Sequence, residues 1–355
     1  GRSTATTVLT YENILKMQEV GVQQSDRKLL TFVDARQDAA LQAGHFNDFI
    51  FSGKIRSAIW NAVKDADDII DSSNIARLVY EKLGLQLSDY SQRDGLSGGR
   101  ANDVKKILIQ YLSSIIYDDL AGNWAVTTPN LEDCALLKID YRYLHDEIFG
   151  LNGSERLYDI PELEGLSEED KETFLIQIFD YFRHKLCIYS ESKTENAMSD
   201  LSKKIRTNLK SPWTIDEGQE LNTSKELFLF RPNRRNLYNM ESGGYRSKLA
   251  TFVKDFLSKK AGITIEDEND YINYMSSLFE KLSNYIIKKA DGVYQLDFES
   301  IVWTCGDEKT VRPDLTRIRT IGDNNIELTP NPYFQDFFKS IPLVGLALEA
   351  KDHTG

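Results

Sequence analysis

Apolar residues recur at helical spacing along most of the chain. Over 8–20, Leu9, Ile14 and Met17 supply one face of a first helix. Ile55, Ile59, Ala62 and Val63 predict another, and Ile75, Leu78, Val79 and Leu83 a third, which Gly84 can stop by adopting the left-handed conformation. Val104, Ile107, Leu108, Tyr111, Leu112 and Ile115 predict a long helix behind the glycine-rich stretch 94–100. A further stripe, Phe174, Ile178, Tyr181 and Phe182, opens on Ser167 and an acidic turn at 168–170, which suits the helix dipole. Met198, Leu201, Ile205 and Leu209 complete the helical block. These stripes read as core faces.

Two stretches depart from the helical period. The run 29–33, entered from Asp26, Arg27 and Lys28 and left at Asp34, suits a strand buried on both faces of a parallel sheet. Around 211–236, Pro212, Gly218 and Pro232 break helices, and 227–230 reads as a strand, which places a domain boundary there. Beyond it, Leu249, Phe252, Val253, Phe256 and Leu257 predict one helix, and Tyr271, Tyr274, Met275, Leu278, Leu282 and Ile286 a second. Short strands at 293–296 and 300–304 follow. That order is the order of a winged helix-turn-helix, which other small α+β modules share. The expected class is mainly α with minor β.

With 355 residues, the chain has material for two or three packed units. No apolar run approaches the roughly 18 residues of a membrane span, and residues 1–7 lack the pattern of a signal peptide, so a cytoplasmic protein with no membrane partner is expected. Cys134, Cys187 and Cys305 lie far apart, as do His45, His145, His184 and His353, which argues against a disulfide framework and against a metal site. A net charge of -12 excludes a broadly basic surface, so any grip on a polyanion must be local. Arg231, Arg234 and Arg235 form the best local basic cluster, close in sequence to Lys203, Lys204, Arg206 and Lys210; a solvated face is the competing explanation. The acidic segment 155–172 reads as a solvated loop and helix start.

Catalytic motifs are missing. Gly53-Lys54 runs into Ile55 without a preceding glycine, and Gly98-Gly99 leads to Arg100, so neither is a phosphate loop. No nucleophile elbow or zinc-protease His pair occurs, and no catalytic residue is assigned. Chemistry concentrates instead where the strand 29–33 ends: Asp34, Arg36, Gln37 and Asp38 crowd the following turn, and ligands of open α/β sheets bind at that edge. A purely structural alternative has Asp34 or Asp38 capping the helix and Arg36 pairing with one of them.

The stretch 32–49, FVDARQDAALQAGHFNDF, resembles motif IV of superfamily 2 helicases, in particular the signature FTDNRQDASLQAGHFNDF of large bacterial DEAD/DEAH-box helicases. It departs at Val33, Ala35 and Ala40. The block 119–132 with 136–141 resembles a second element of that family, with Ala125 where the family has arginine. Residues 331–338 and 348–355 resemble its closing elements. The matches bracket nearly the whole chain.

The resemblance implies that 1–50 begins a second RecA-like lobe and that 305–355 returns to it. Between them would lie a long insertion: a helical part at 51–210, a linker with a short strand at 211–240, and a winged-helix-like module at 241–304. It further implies nucleic acid, DNA before RNA, as partner, together with the remaining helicase lobes. Asp34, Arg36, Gln37, His353 and Thr354 would face the strand, aided by Arg231, Arg234 and Arg235, while Asp38, His45, Asn47 and Asp48 would build the joint between lobe and insertion. The phosphate loop and the arginine finger belong to parts of the family not represented here. ATP and Mg are therefore cofactors expected of the parent protein, with none in this chain, and the chain alone is expected not to turn over ATP. The rival expectation is a protein-interaction module of a DNA repair or defence system.

Overall fold

In the computed structural model the described residues are 2–23, 26–29, 36–122, 128–151, 160–233, 237–317, 328–343, 348, 350 and 351, with backbone alone at 2–4 and 36–39. Of these, 53% are helical and 11% extended in mixed sheets, which makes the fold mainly α within the α+β class. No helix among the described residues is long and apolar enough to cross a membrane.

The first helix, α1 (Arg2–Glu19), turns Thr7, Tyr11 and Ile14 inward, a spacing of four and three residues that keeps them on one face. Helix α2 (Arg36–Lys64) is 29 residues long and does not stop at the expected boundary after residue 50. No proline interrupts it, and from Phe46 onward it is buried: Phe49, Ile50, Ile55, Ala58, Ile59 and Val63 all face protein. A helix buried on nearly all sides is a central core element, so the end of the predicted lobe segment and the first insertion helix are one continuous rod. Of the predicted strand 29–33, only Leu29 is described, and it is exposed.

Around α2 lie α3 (Ile75–Leu83), α4 (Leu87–Tyr90) and α5 (Gly98–Asp119). Then come α6 (Leu144–Phe149), α7 (Glu168–His184) and α8 (Glu195–Asn208). Gly84 ends α3 at φ 61°, and the Ser167 side chain accepts from the Asp170 amide at the start of α7, both as the sequence predicts. Two small sheets fill the remaining sides. In the first, β8 (Ile301–Cys305) runs antiparallel between β1 (Ile70–Asp71) and β2 (Leu137–Tyr141). Leu137, Ile139 and Tyr141 of β2 alternate inward, the half-buried strand pattern.

In the second sheet, β7 (Val293–Asp297) pairs antiparallel with β6 (Ile286–Ala290) on one side. Its other side pairs antiparallel with β4 (Glu226–Phe228) and parallel with β3 (Ile188–Tyr189), and β4 continues to a parallel neighbour, β5 (Met240–Ser242). Two helices, α9 (Lys248–Lys260) and α10 (Glu268–Lys281), precede the β6–β7 hairpin. Ile286, which the apolar stripe assigns to the second helix, opens β6 instead, because α10 ends at Lys281, where the cap residue Leu282 leaves helical geometry at ψ 32°. The strands predicted at 293–296 and 300–304 are β7 and β8, and they belong to different sheets, so they do not form a wing hairpin. The expected linker supplies β4 and β5 to the sheet of β7, and one apolar core runs from Tyr11 to Ile341.

Candidate lobe junction and nucleic-acid interface

The last helix, α11 (Pro332–Ser340), starts on Asn331, whose side chain accepts from the amides of Tyr333 and Phe334, with Pro332 in the first turn. Its Phe337 meets Tyr11 edge-on, ring centroids 5.1 Å apart, and Phe49 at 4.7 Å. Tyr11 and Phe49 complete the cluster at 6.2 Å. Gly53 makes room for it: a Cβ there would lie 2.6 Å from Phe337 Cζ. At the rim, the Tyr333 hydroxyl donates to Glu12 Oε1 at 2.9 Å. Burial pushes the Tyr11 hydroxyl up to about 12, and among the described residues its oxygen has no hydrogen-bond partner.

Beside this cluster the two ends of the family-like sequence meet. Asn47 on α2 donates from Nδ2 to the Ala350 carbonyl at 3.1 Å and accepts at Oδ1 from the Ala350 amide at 2.8 Å. The side chain thus satisfies both polar groups of one peptide-bearing residue 303 positions away, as a neighbouring strand would. Of the other residues expected at the joint, His45 and Asp48 lie on the exposed side of α2, and partial burial raises the Asp48 carboxyl against the opposing influence of His45. Arg36, Gln37 and Asp38 occupy the first turn of α2, with side chains outside the described residues. Asp34, Arg234, Arg235, His353 and Thr354 lie wholly outside them, and Arg231 is exposed just beyond β4.

Two acids of the second family-like block, Asp119 and Glu132, bind arginines from outside it that sequence reasoning missed. Arg56, on α2, is 1% exposed and grips Asp119 Oδ1 through Nη2 at 2.7 Å and through Nε at 3.0 Å. Arg183, at the end of α7 and equally buried, donates to Glu132 at 2.7 and 3.0 Å, to Asp180 Oδ1 and to the Leu120 carbonyl. Asp119 and Glu132 are conspicuous in the block 119–132, and that was the available signal; an arginine among apolar residues reads as a surface position. Asn130 and Asp133 clasp each other's backbone amides, Asp133 N to Asn130 Oδ1 at 2.7 Å. Lys193 is the third buried cation, donating to Ser114, Asp118 and the Asn222 carbonyl, and burial lowers its ammonium while raising Asp118.

Each of these cations is bonded to carboxylates, and a buried pair of this kind orders structure. A cleft of about 360 Å³ opens beside Arg183, lined by Glu132, Asp133, Lys138, His184, Arg312 and Asp314. Arg312 there is bonded to Asp140, and His184 Nδ1 lies 3.5 Å from Asp314 Oδ2, so two of the cleft's nitrogen groups face carboxylates. Among the described residues, no group of three or more His, Cys, Asp or Glu side chains could hold a metal ion.

No family model, curated protein or solved structure matches the chain.

Proposed function

We propose that the chain is part of an ATP-dependent nucleic-acid helicase or translocase, contributing nucleic-acid contacts and a large accessory insertion without hydrolysing ATP by itself. The observation that supports this reading most is the Asn47–Ala350 clasp. If 32–49 and 348–355 are consecutive elements of one motor lobe, they must be neighbours in space, and everything between them must leave and return at that point. The side chains around Gly53 and Phe337 support the same closure.

In a two-lobe motor, ATP binds between the lobes and its γ-phosphate draws them together, so that one lobe advances along the strand. On this reading the turn carrying Asp34, Arg36 and Gln37 and the segment carrying His353 and Thr354 touch phosphates and do not read bases, because stepping requires contacts indifferent to sequence. The test is a titration of the chain with labelled single-stranded DNA and RNA. The Arg36→Ala, Gln37→Ala double variant is expected to bind at least tenfold more weakly than the parent, with no ATP turnover by either. Unchanged affinity in the folded variant would remove the assignment.

The net charge of -12 favours a second reading, a protein-interaction module of a repair or defence system. Capture of a protein partner by a chain that binds neither DNA nor RNA at low salt would select it.

A further inference from the structure

Helix α8 runs antiparallel to α5. Met198, near its start, receives the Ser114 hydroxyl, and farther along Leu201 and Lys204 share a cleft with Gln110. Its last turn is thereby carried alongside the first turns of α5. There the chain after α8 bridges to the loop before α5: Gln92 N donates to the Asn208 carbonyl and Lys210 N to the Tyr90 carbonyl, both at 2.9 Å. Two segments more than a hundred residues apart in sequence thus form one surface.

The charge of that surface opposes the charge of the chain. Segments 91–110 and 201–212 together hold eight basic side chains, Arg93, Arg100, Lys105, Lys106, Lys203, Lys204, Arg206 and Lys210, against two acidic ones, Asp94 and Asp103, in a chain of net charge -12. Three of the eight are committed elsewhere: Arg206 donates to the carbonyls of Asp216 and Gln219, Lys204 pairs with Asp200, and Lys105 lies over the Tyr80 ring. The remaining five, Arg93, Arg100, Lys106, Lys203 and Lys210, are exposed. Between them, Gly95, Gly98 and Gly99 have nothing within 4 Å of where a Cβ would stand, so the backbone there is open to close approach. The first turn of α5 carries no acidic residue, and its amide dipoles add potential of the same sign.

We propose that this face, Arg93, Arg100 and Lys106 with Lys203 and Lys210, is a second nucleic-acid contact that holds a sugar-phosphate backbone without reading sequence. Long cationic side chains spread over an exposed face match a flexible polyanion better than a compact ligand, which would need a walled cavity. The inference rests on the reading of the chain as part of a nucleic-acid motor, and it gives the insertion a role in that motor: it grips the strand at a distance from the motif IV turn. It also divides the basic residues that lie close in sequence, because Lys203 and Lys210 act with Arg93 and not as extensions of Arg231.

The test uses the full chain and a fluorescein-labelled oligo-dT strand, with the salt raised from about 50 to 200 mM. The triple variant Arg93→Ala, Lys203→Ala, Lys210→Ala is expected to bind at least tenfold more weakly at the low-salt end. Its slope of log K against log salt should shrink by about 2, as three lost phosphate contacts on a single strand require. A control, Lys138→Ala, Lys288→Ala, Lys309→Ala, removes the same charge elsewhere and is expected to keep the parental slope. A patch variant that folds, by its thermal melt, and keeps the parental slope overturns this inference and leaves the helicase reading in place. An equal loss in patch and control variants also overturns it, as an effect of net charge alone. A parent chain that binds no oligonucleotide overturns both.

Discussion

The carboxamide of Asn47 holds Ala350 by both its amide and its carbonyl, at 2.8 and 3.1 Å. Asparagine suits this place because one planar group offers a donor and an acceptor side by side. Asn47→Asp loses the donor and sets a carboxylate against the Ala350 carbonyl; Asn47→Ala loses both bonds. Each bond contributes about 0.5–1.5 kcal/mol, so Asn47→Ala is expected to destabilise the chain by about 1–3 kcal/mol in urea unfolding, and Asn47→Asp by more. Hydrogen exchange at the Ala350 amide should accelerate in both. Unaltered exchange would mean that the clasp does not hold the segment.

Gly53 separates packing from helix propensity. In an exposed helix, glycine to alanine would stabilise by up to about 1 kcal/mol, yet here the added methyl would stand 2.6 Å from Phe337. Overpacking of this kind costs about 1–3 kcal/mol, so Gly53→Ala is expected to be net destabilising, and Phe337→Leu in the same chain should recover part of the loss. A more stable Gly53→Ala chain would contradict the close approach of α2 and α11.

Tyr11 gives a prediction of opposite sign. Its hydroxyl is buried without a partner among the described residues, an arrangement that costs about 1–3 kcal/mol relative to one that is satisfied or absent. Tyr11→Phe keeps the ring contacts with Phe49 and Phe337 and is expected to raise the melting temperature. A clear fall would reveal a hydrogen bond that the aromatic cluster conceals.

Asp180 links the buried network to pH. Burial raises its carboxyl, but the charges of Arg183, His184 and Arg312 and the Tyr141 hydroxyl outweigh burial, and the net shift is downward. A carboxyl lowered in the folded state binds fewer protons than in the unfolded chain, so its stabilisation is present above about pH 3.9 and is lost as the pH falls through the folded value. Asp180→Asn is expected to cost about 1.5–3 kcal/mol at neutral pH, because Arg183 keeps Glu132 but loses its other carboxylate. The gap from the parent should narrow as the pH drops below about 4. A gap independent of pH would show that packing, not charge, accounts for it.

Local rules were legible wherever the cause was local. Gly84 and Ser167 announced the end of α3 and the start of α7, and the apolar stripes found α5, α7, α8 and α9. What escaped depends on partners far away in the chain. Two-residue strands such as β1 and β3 carry no periodic signal and exist because β8 and β7 pass beside them. Helix α2 runs unbroken through residue 50, and from Phe46 onward other elements bury most of it, which its own sequence does not reveal. Nothing local marks Arg56 and Arg183 as buried, because their partners Asp119 and Glu132 lie 63 and 51 residues away. Asn47 was singled out only through the family resemblance, and its partner Ala350 lies 303 residues on.

The measurement that bears most directly on the helicase reading is photo-crosslinking of the chain to single-stranded DNA bearing 5-bromodeoxyuridine, followed by peptide mapping. Crosslinks are expected in the peptide carrying Arg36 and Gln37 and in the one carrying His353 and Thr354, which in sequence lie on either side of the Asn47–Ala350 clasp. Crosslinks absent from both, under conditions in which the DNA is bound, would contradict the account.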